Sequence, residues 1–268
     1  MKSLRDLGDL SGRVALITGG TGHVGSVIAD ALAEAGAAIA VLDLDPDSCA
    51  STTRSLRERY GVSVLPLAID LENEAAVRQA PLTVTGQLGQ LDILIHCAAL
   101  VGTSSDLPGW TTPLEQQHSA TWRRALEVNL TSVFVLTQAA APLLAVSGRG
   151  SVITVGSLYA MVGPDMRLYD GTSMGNPAAY AASKGGVLEL TRWFATVLAP
   201  EIRVNCVSPG GVWRNQPEAF QRRFMDRTPL RRMATEEDLK GAFAYLASDL
   251  SSYVTGQNLV VDGGWTSW

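Results

Sequence analysis

Tyr180 and Lys184 stand at i and i+4, downstream of Ser157 and of a glycine-rich turn, Thr18-Gly19-Gly20-Thr21-Gly22-His23-Val24-Gly25. On a helix that spacing puts the phenol and the ammonium on one face. An ammonium beside a phenol favours the phenolate, which makes a proton shuttle usable near neutral pH. The glycine turn offers a seat for a dinucleotide. Together the two features point to hydride chemistry on an alcohol or a ketone. A Tyr/Lys pair alone equally fits an amphipathic surface, so the elements around it decide.

Short β-branched runs alternate with longer helical segments. Val14–Ile17 leads into a helix with Val27, Ile28, Ala31, Leu32 and Ala35 at helical spacing, closed by Gly36. The further runs are Ile39–Leu42, Val64–Ala68, Ile93–Ile95, Val152–Val155, Arg203–Val207 and Leu259–Val261. Most are apolar throughout, as strands covered on both faces are. The alternation predicts an α/β fold: residues 1–268 as a single doubly wound Rossmann-type domain, an about seven-stranded parallel sheet with helices on both faces. Two stretches rich in Gly and Pro, Val101 to Gln117 and Val162 to Pro177, read as loops.

Gly20-x-Gly22-x-x-Gly25 follows a strand and opens a helix, the context in which such glycines let a backbone approach a pyrophosphate. The helix N-terminus adds N–H donors and positive potential. Asp43 ends the second strand. A carboxylate there accepts from adenosine ribose hydroxyls and repels a 2′-phosphate, and no Lys or Arg lies in the turn or just after Asp43. NAD is therefore expected over NADP. Asp43 also fits a strand cap, and Asp70 fits either an adenine contact or an N-cap for the helix after Leu71.

The net charge of −5 and pI near 5.2 give no basic field for nucleic acid. The longest apolar runs look strand-sized, and the first residues carry no apolar signal core. Cys49, Cys97 and Cys206 share no metal-ligand spacing, so no metal is expected, and a reduced, cytoplasmic protein is the simplest setting.

The ordered set of these residues resembles the short-chain dehydrogenase/reductase family in its compact single-domain branch, over nearly the whole chain. The elements in order are the Thr18–Gly25 turn, Asp43, Asp70, Asn129, Ser157, Tyr180 with Lys184, Asn205-x-x-Ser208-Pro209-Gly210, and Thr255-Gly256-Gln257 before Val260–Gly264. The resemblance implies Tyr180 as general acid/base and Ser157 as hydrogen-bond partner of the substrate oxygen. It implies Lys184 on the nicotinamide ribose and Asn129 holding a water that links Lys184 to a proton relay. It implies cofactor contacts from Gly19, Thr21, Gly22, His23, Val24, Gly25, Asp43, Asp70, Leu71, Ala98, Tyr180, Lys184, Pro209, Gly210 and Val212. It also implies a small-molecule substrate and a homo-oligomer, dimer or tetramer, paired through the helices of Asn129 and Tyr180.

Three positions depart from the family pattern. His23 replaces the middle glycine of the usual turn. His96-Cys97-Ala98-Ala99 stands where Asn-Asn-Ala-Gly is common, and His96 reads as structural rather than as a base. Arg214 stands where a Thr commonly touches the cofactor. The stretch Met161–Met174 lengthens the Ser157-to-Tyr180 interval, borders the substrate side, and offers Asp165, Arg167, Tyr169 and Asp170 to a hydroxyl-rich ligand. This insertion resembles members tied to surface-sugar and flagellin modification. The expected reaction is NAD-dependent oxidoreduction of a sugar or polyol; a 3-oxoacyl-thioester reductase and a non-catalytic dinucleotide-binding protein are the alternatives. The arginines between Pro217 and Met233 read mostly as a solvated or paired face.

Overall fold

The computed structural model describes residues 1–101 and 107–268. After a short helix α1 (Leu4–Gly8), the chain alternates β1 (Val14–Thr18), α2 (His23–Glu34), β2 (Ala38–Asp43), α3 (Pro46–Tyr60), β3 (Val64–Ala68), α4 (Glu74–Leu88) and β4 (Ile93–His96). The second half runs α5 (Ser119–Leu126), α6 (Ser132–Val146), β5 (Gly150–Val155), α7 (Ala178–Val197), β6 (Ile202–Pro209), α8 (Glu218–Arg227), α9 (Glu237–Ala247) and β7 (Asn258–Val261). The seven strands form one parallel sheet in the order β3-β2-β1-β4-β5-β6-β7. The order reverses between β1 and β4, where Thr18 pairs with His96. A crevice at the carboxyl ends of the strands opens at such a reversal.

Alternate residues of each strand feed two core layers. Ala15, Ile17, Ile39 and Val41 pack with Leu32 of α2 and with Leu239 and Phe243 of α9. Leu16, Leu42 and Leu94 pack on the other face with Val77 and Val84 of α4, Leu136 and Leu144 of α6, and Phe194 of α7. Each fully buried Leu or Ile of these layers contributes about 1.5–3 kcal/mol relative to exposure. A third cluster joins the Met161–Met174 insertion to α8 through Leu168, Phe220, Phe224 and Trp265.

Two sequence expectations change here. The helical stretch Ser119–Val146 is 28 residues long and apolar enough to cross a membrane by length and composition, so apolar runs are not all strand-sized. It serves the core instead, with Leu136, Ala140 and Leu144 fully buried. Asp70 does not cap α4. Asn73 does, its side chain accepting from the Ala76 amide, while Asp70 closes a local turn by accepting from Glu72 N at 2.9 Å. Among the described residues, the two expected loops each hold one 3₁₀ turn, Leu114–Gln116 in one and Met166–Tyr169 in the other. Part of the first loop, 102–106, lies outside the described residues.

Candidate active site

The glycine turn is shaped by steric necessity at two positions. Gly19 has φ +64° and lies so close to Ala98 that a Cβ would sit 2.7 Å from the Ala98 backbone. A Cβ on Gly25 would fall 2.0 Å from the Gly19 carbonyl oxygen. His23, in contrast, needs no glycine, because it takes the first helical position of α2 with its side chain exposed, its Nδ1 3.9 Å from Glu236 Oε1. Gly22 precedes it as an N-cap with no side-chain hydrogen bond, whereas α3 and α4 are capped by Asp45 and Asn73. The first-turn N–H groups of α2 are thus left for an anion, as a pyrophosphate seat requires.

Asp43 closes the other side of the turn. Its Oδ2 accepts from Thr21 N at 3.0 Å and Thr21 Oγ1 at 2.5 Å, and its Oδ1 accepts from Leu44 N at 2.8 Å. Thr18 Oγ1 accepts from the amides of Cys97 and Ala98 at 3.2 and 3.3 Å, which fixes the chain beyond β4 against the glycine turn.

Ser157 follows β5 with extended backbone. Its Oγ accepts from Tyr159 N at 3.2 Å, leaving the hydroxyl proton free to donate. Tyr180 and Lys184 occupy the first turns of α7. Lys184 is buried, and its Nζ donates to Val155 O at 2.7 Å, 5.8 Å from the centre of the Tyr180 ring. Asn129 lies in a π-turn, Glu127–Thr131, between α5 and α6, the kind of helix irregularity common at functional sites. Its side chain grips Leu100 in both directions (Oδ1 from Leu100 N at 2.7 Å, Nδ2 to Leu100 O at 3.1 Å) and donates to Ser183 Oγ at 3.0 Å.

One cleft of about 880 Å³ at the carboxyl edge of the sheet gathers these groups. Every residue expected at the cofactor lines it, from Gly19 to Val212, together with Ser157, Tyr180 and Lys184. Asn129 does not line it; its neighbour Val128 does. The cleft fits a dinucleotide on two counts: the uncapped N–H groups that open α2 beyond the tight Gly19–Gly25 bend, and a carboxylate at the end of β2.

His96 is buried outside the cleft, its Nε2 2.8 Å from Thr137 Oγ1, and burial pushes the imidazole down to about 3. It is a neutral core histidine. Burial also pushes the Cys97 thiol up to about 11, against the opposing charges of Lys184 and Arg214.

Of the polar residues expected at the substrate from the insertion, only Tyr169 lines the cleft. Asp165 is taken by Arg167 and Arg227, whose hydrogen bonds hold its carboxyl well below the usual range. Three more arginines of α8 and its sequel are engaged, Arg223 with Asp170 O, Arg231 with Asp226 O and Arg232 with Asp238, while Arg222 is exposed and has no such partner among the described residues. None of the residues between Glu218 and Met233 lines the cleft. Tyr159, whose hydroxyl pairs with that of Tyr169 at 2.8 Å, Asn176, Asn215 and Gln216 do, and the sequence carried no signal for Tyr159 or Asn176.

A family model described as enoyl-(acyl carrier protein) reductase matches residues 21–266. A short-chain dehydrogenase from Leptospira borgpetersenii serovar Hardjo-bovis, solved with bound NAD+, superposes with a TM-score of 0.82 at 32% identity, over 99% of this chain and 96% of that one. The chain belongs to the short-chain dehydrogenase/reductase family. As a member it is an oxidoreductase of alcohol or ketone groups that uses a nicotinamide cofactor. Among its relatives, the sorbose reductase of Schizosaccharomyces pombe is 32% identical over 96% of this chain and 97% of its own length. A gluconate 5-dehydrogenase from Burkholderia cenocepacia, solved in complex with NADP and tartrate, superposes with a TM-score of 0.88 at 32% identity, over 99% and 100% of the two chains.

Proposed function

We propose that this short-chain dehydrogenase/reductase is a single-domain, NAD-dependent enzyme that interconverts a secondary alcohol and a ketone on a sugar or polyol-like substrate. The observation that carries this reading is the convergence of Ser157, Tyr180 and Lys184 on the same cleft as the glycine turn and Asp43. Bound nicotinamide supplies the hydride acceptor or donor. Tyr180 Oη takes the hydroxyl proton in oxidation and returns it in reduction. Ser157 Oγ, already an acceptor from Tyr159 N, turns its proton to the reacting oxygen. Lys184 brings a buried positive charge beside the Tyr180 ring and a donor to the cofactor ribose. Asn129 acts as a positioning residue: it ties Leu100 at the cleft wall to Ser183 next to Lys184 and orders the proton exit.

NAD is favoured by Asp43, whose carboxylate stands where a 2′-phosphate would meet it. A hydroxyl-rich substrate is favoured by the polar lining of Tyr159, Tyr169, Asn176 and Gln216, and by relatives named for sorbose and gluconate. Trp193 and Val197 on α7, Phe134 on α6 and Trp122 on α5 expose apolar side chains, which supports assembly into a homotetramer or dimer across these helices. Unpaired cysteines, two of them buried, fit a cytoplasmic setting.

The test is turnover followed at the reduced-nicotinamide absorbance, with NAD or NADP and a panel of secondary alcohols, sugars, polyols and acyl thioesters. Tyr180→Phe is expected to lower kcat by about 10²- to 10⁴-fold while NAD binding is kept. Near-normal turnover by that variant refutes the acid/base assignment.

A further inference from the structure

Arg214 follows β6 on a loop held in a fixed shape. Its own amide donates to Gln216 Oε1 at 2.7 Å, and Gln216 Nε2 donates back to Val212 O at 2.7 Å. Asn215 between them takes φ +55°, the left-handed region that Asn tolerates better than most residues. Arg214 lines the cleft. Its Nε is buried and has no hydrogen-bond partner among the described residues, and no carboxylate among them lies within ion-pairing distance of the guanidinium.

Charge is unevenly divided around the cleft. The carboxylates Asp43, Asp70 and Glu72 stand at the ends of β2 and β3, and Glu72 is already bound by Arg124 at 2.8 Å. Lys184 and Arg214 also line the cleft, and among the described residues the hydrogen-bond partner of Lys184 Nζ is a neutral carbonyl, Val155 O. A buried guanidinium N–H without a partner is a donor left for a ligand, and the planar fork is matched best by a carboxylate or phosphate.

We propose that Arg214 is an oxyanion-binding residue of the cleft, receiving either the pyrophosphate of the dinucleotide or an acidic group on the substrate. This rests on the cleft being a dinucleotide site, and it adds to that reading a charge contact that the glycine turn itself does not provide.

Isothermal titration of the wild type, Arg214→Gln and Arg214→Lys separates the two sources. ADP-ribose against adenosine probes the diphosphate. Gluconate against sorbitol, in the presence of saturating NAD, probes a substrate carboxylate on otherwise similar polyols. Loss of one charge-assisted contact is expected to weaken ADP-ribose or gluconate by about 10- to 100-fold in Arg214→Gln, with adenosine and sorbitol unchanged. Arg214→Lys should recover part of that loss, and the salt dependence of the affected ligand should flatten in Arg214→Gln. Unchanged adenosine binding and melting temperature show that the variant is folded. The ligand that moves identifies the source. If the wild type binds ADP-ribose and Arg214→Gln alters neither ratio, the proposal falls alone. If the wild type binds neither NAD nor ADP-ribose, the dinucleotide reading falls and takes the proposal with it.

Discussion

Lys184 Nζ donates to the carbonyl oxygen of Val155 at 2.7 Å and so ties the first turns of α7 to the last residue of β5. That bond sets the spacing between the helix carrying Tyr180 and the strand leading to Ser157. Lys184→Met keeps the length of the side chain and removes both donor and charge. Activity should fall by about 10²- to 10⁴-fold if the ammonium assists proton transfer at Tyr180. The Val155 carbonyl, left buried without a partner, should cost about 1–3 kcal/mol of stability. Steady-state kinetics and urea unfolding on the same variant read the two effects separately. A stable variant with wild-type kcat would show that the lysine serves the fold alone.

Asp43 accepts three hydrogen bonds within the protein, two from Thr21 and one from Leu44, yet lines the cleft. On the proposed role of Asp43 as ribose acceptor and barrier to a 2′-phosphate, Asp43→Ala removes both effects. The ratio of kcat/KM for NAD over NADP should therefore drop by about 10- to 100-fold. An unchanged ratio would assign Asp43 to the Thr21 turn only.

His96 gives a pH signature of the core. Its imidazole stays neutral in the folded protein down to about pH 3 because burial disfavours the charge. In the unfolded chain it titrates near the ordinary value of about 6.5. Above that pH neither state binds the proton and His96 adds no pH dependence. As pH falls below it, only the unfolded state is protonated, so folding stability is lost with decreasing pH. Between pH 7 and pH 5 the loss should reach about 2 kcal/mol. His96→Asn, which retains a partner for Thr137, should remove this slope. Urea unfolding of both proteins across that range checks it; parallel curves would mean that His96 is protonated in the native state.

The reach of the sequence follows from the kind of constraint each residue obeys. Gly19 and Gly25 are legible because only the absence of a Cβ fits there, and that demand is written in the residue type. Tyr180 and Lys184 are legible because helical spacing alone places them together. The strands are legible because a sheet covered on both faces needs continuous apolar runs. Orientation within the insertion is not legible. Asp165 was turned from the cleft by Arg227, a partner 62 residues away, and no local pattern predicts such a pairing. The same holds for Asn129, whose grip on Leu100 depends on a π-turn that residue types do not announce.

Asn176 is the residue best placed to report on the substrate. It lies just before α7, lines the cleft and stands beside the Tyr169 hydroxyl, which neighbours Tyr180. Its Oδ1 is buried without a hydrogen-bond partner among the described residues. An amide oxygen in that position accepts a hydrogen bond from whatever enters, and a second hydroxyl beside the reacting carbon donates one. A site built to pair with such a hydroxyl discriminates against ligands that lack it, since the acceptor is then left unsatisfied. Asn176→Leu has similar volume and no acceptor. Its KM for a polyol should rise by about 5- to 50-fold, while kcat/KM for a simple secondary alcohol such as cyclohexanol stays level or improves. Equal losses on both substrates would mean that Asn176 supports the start of α7 rather than choosing the ligand.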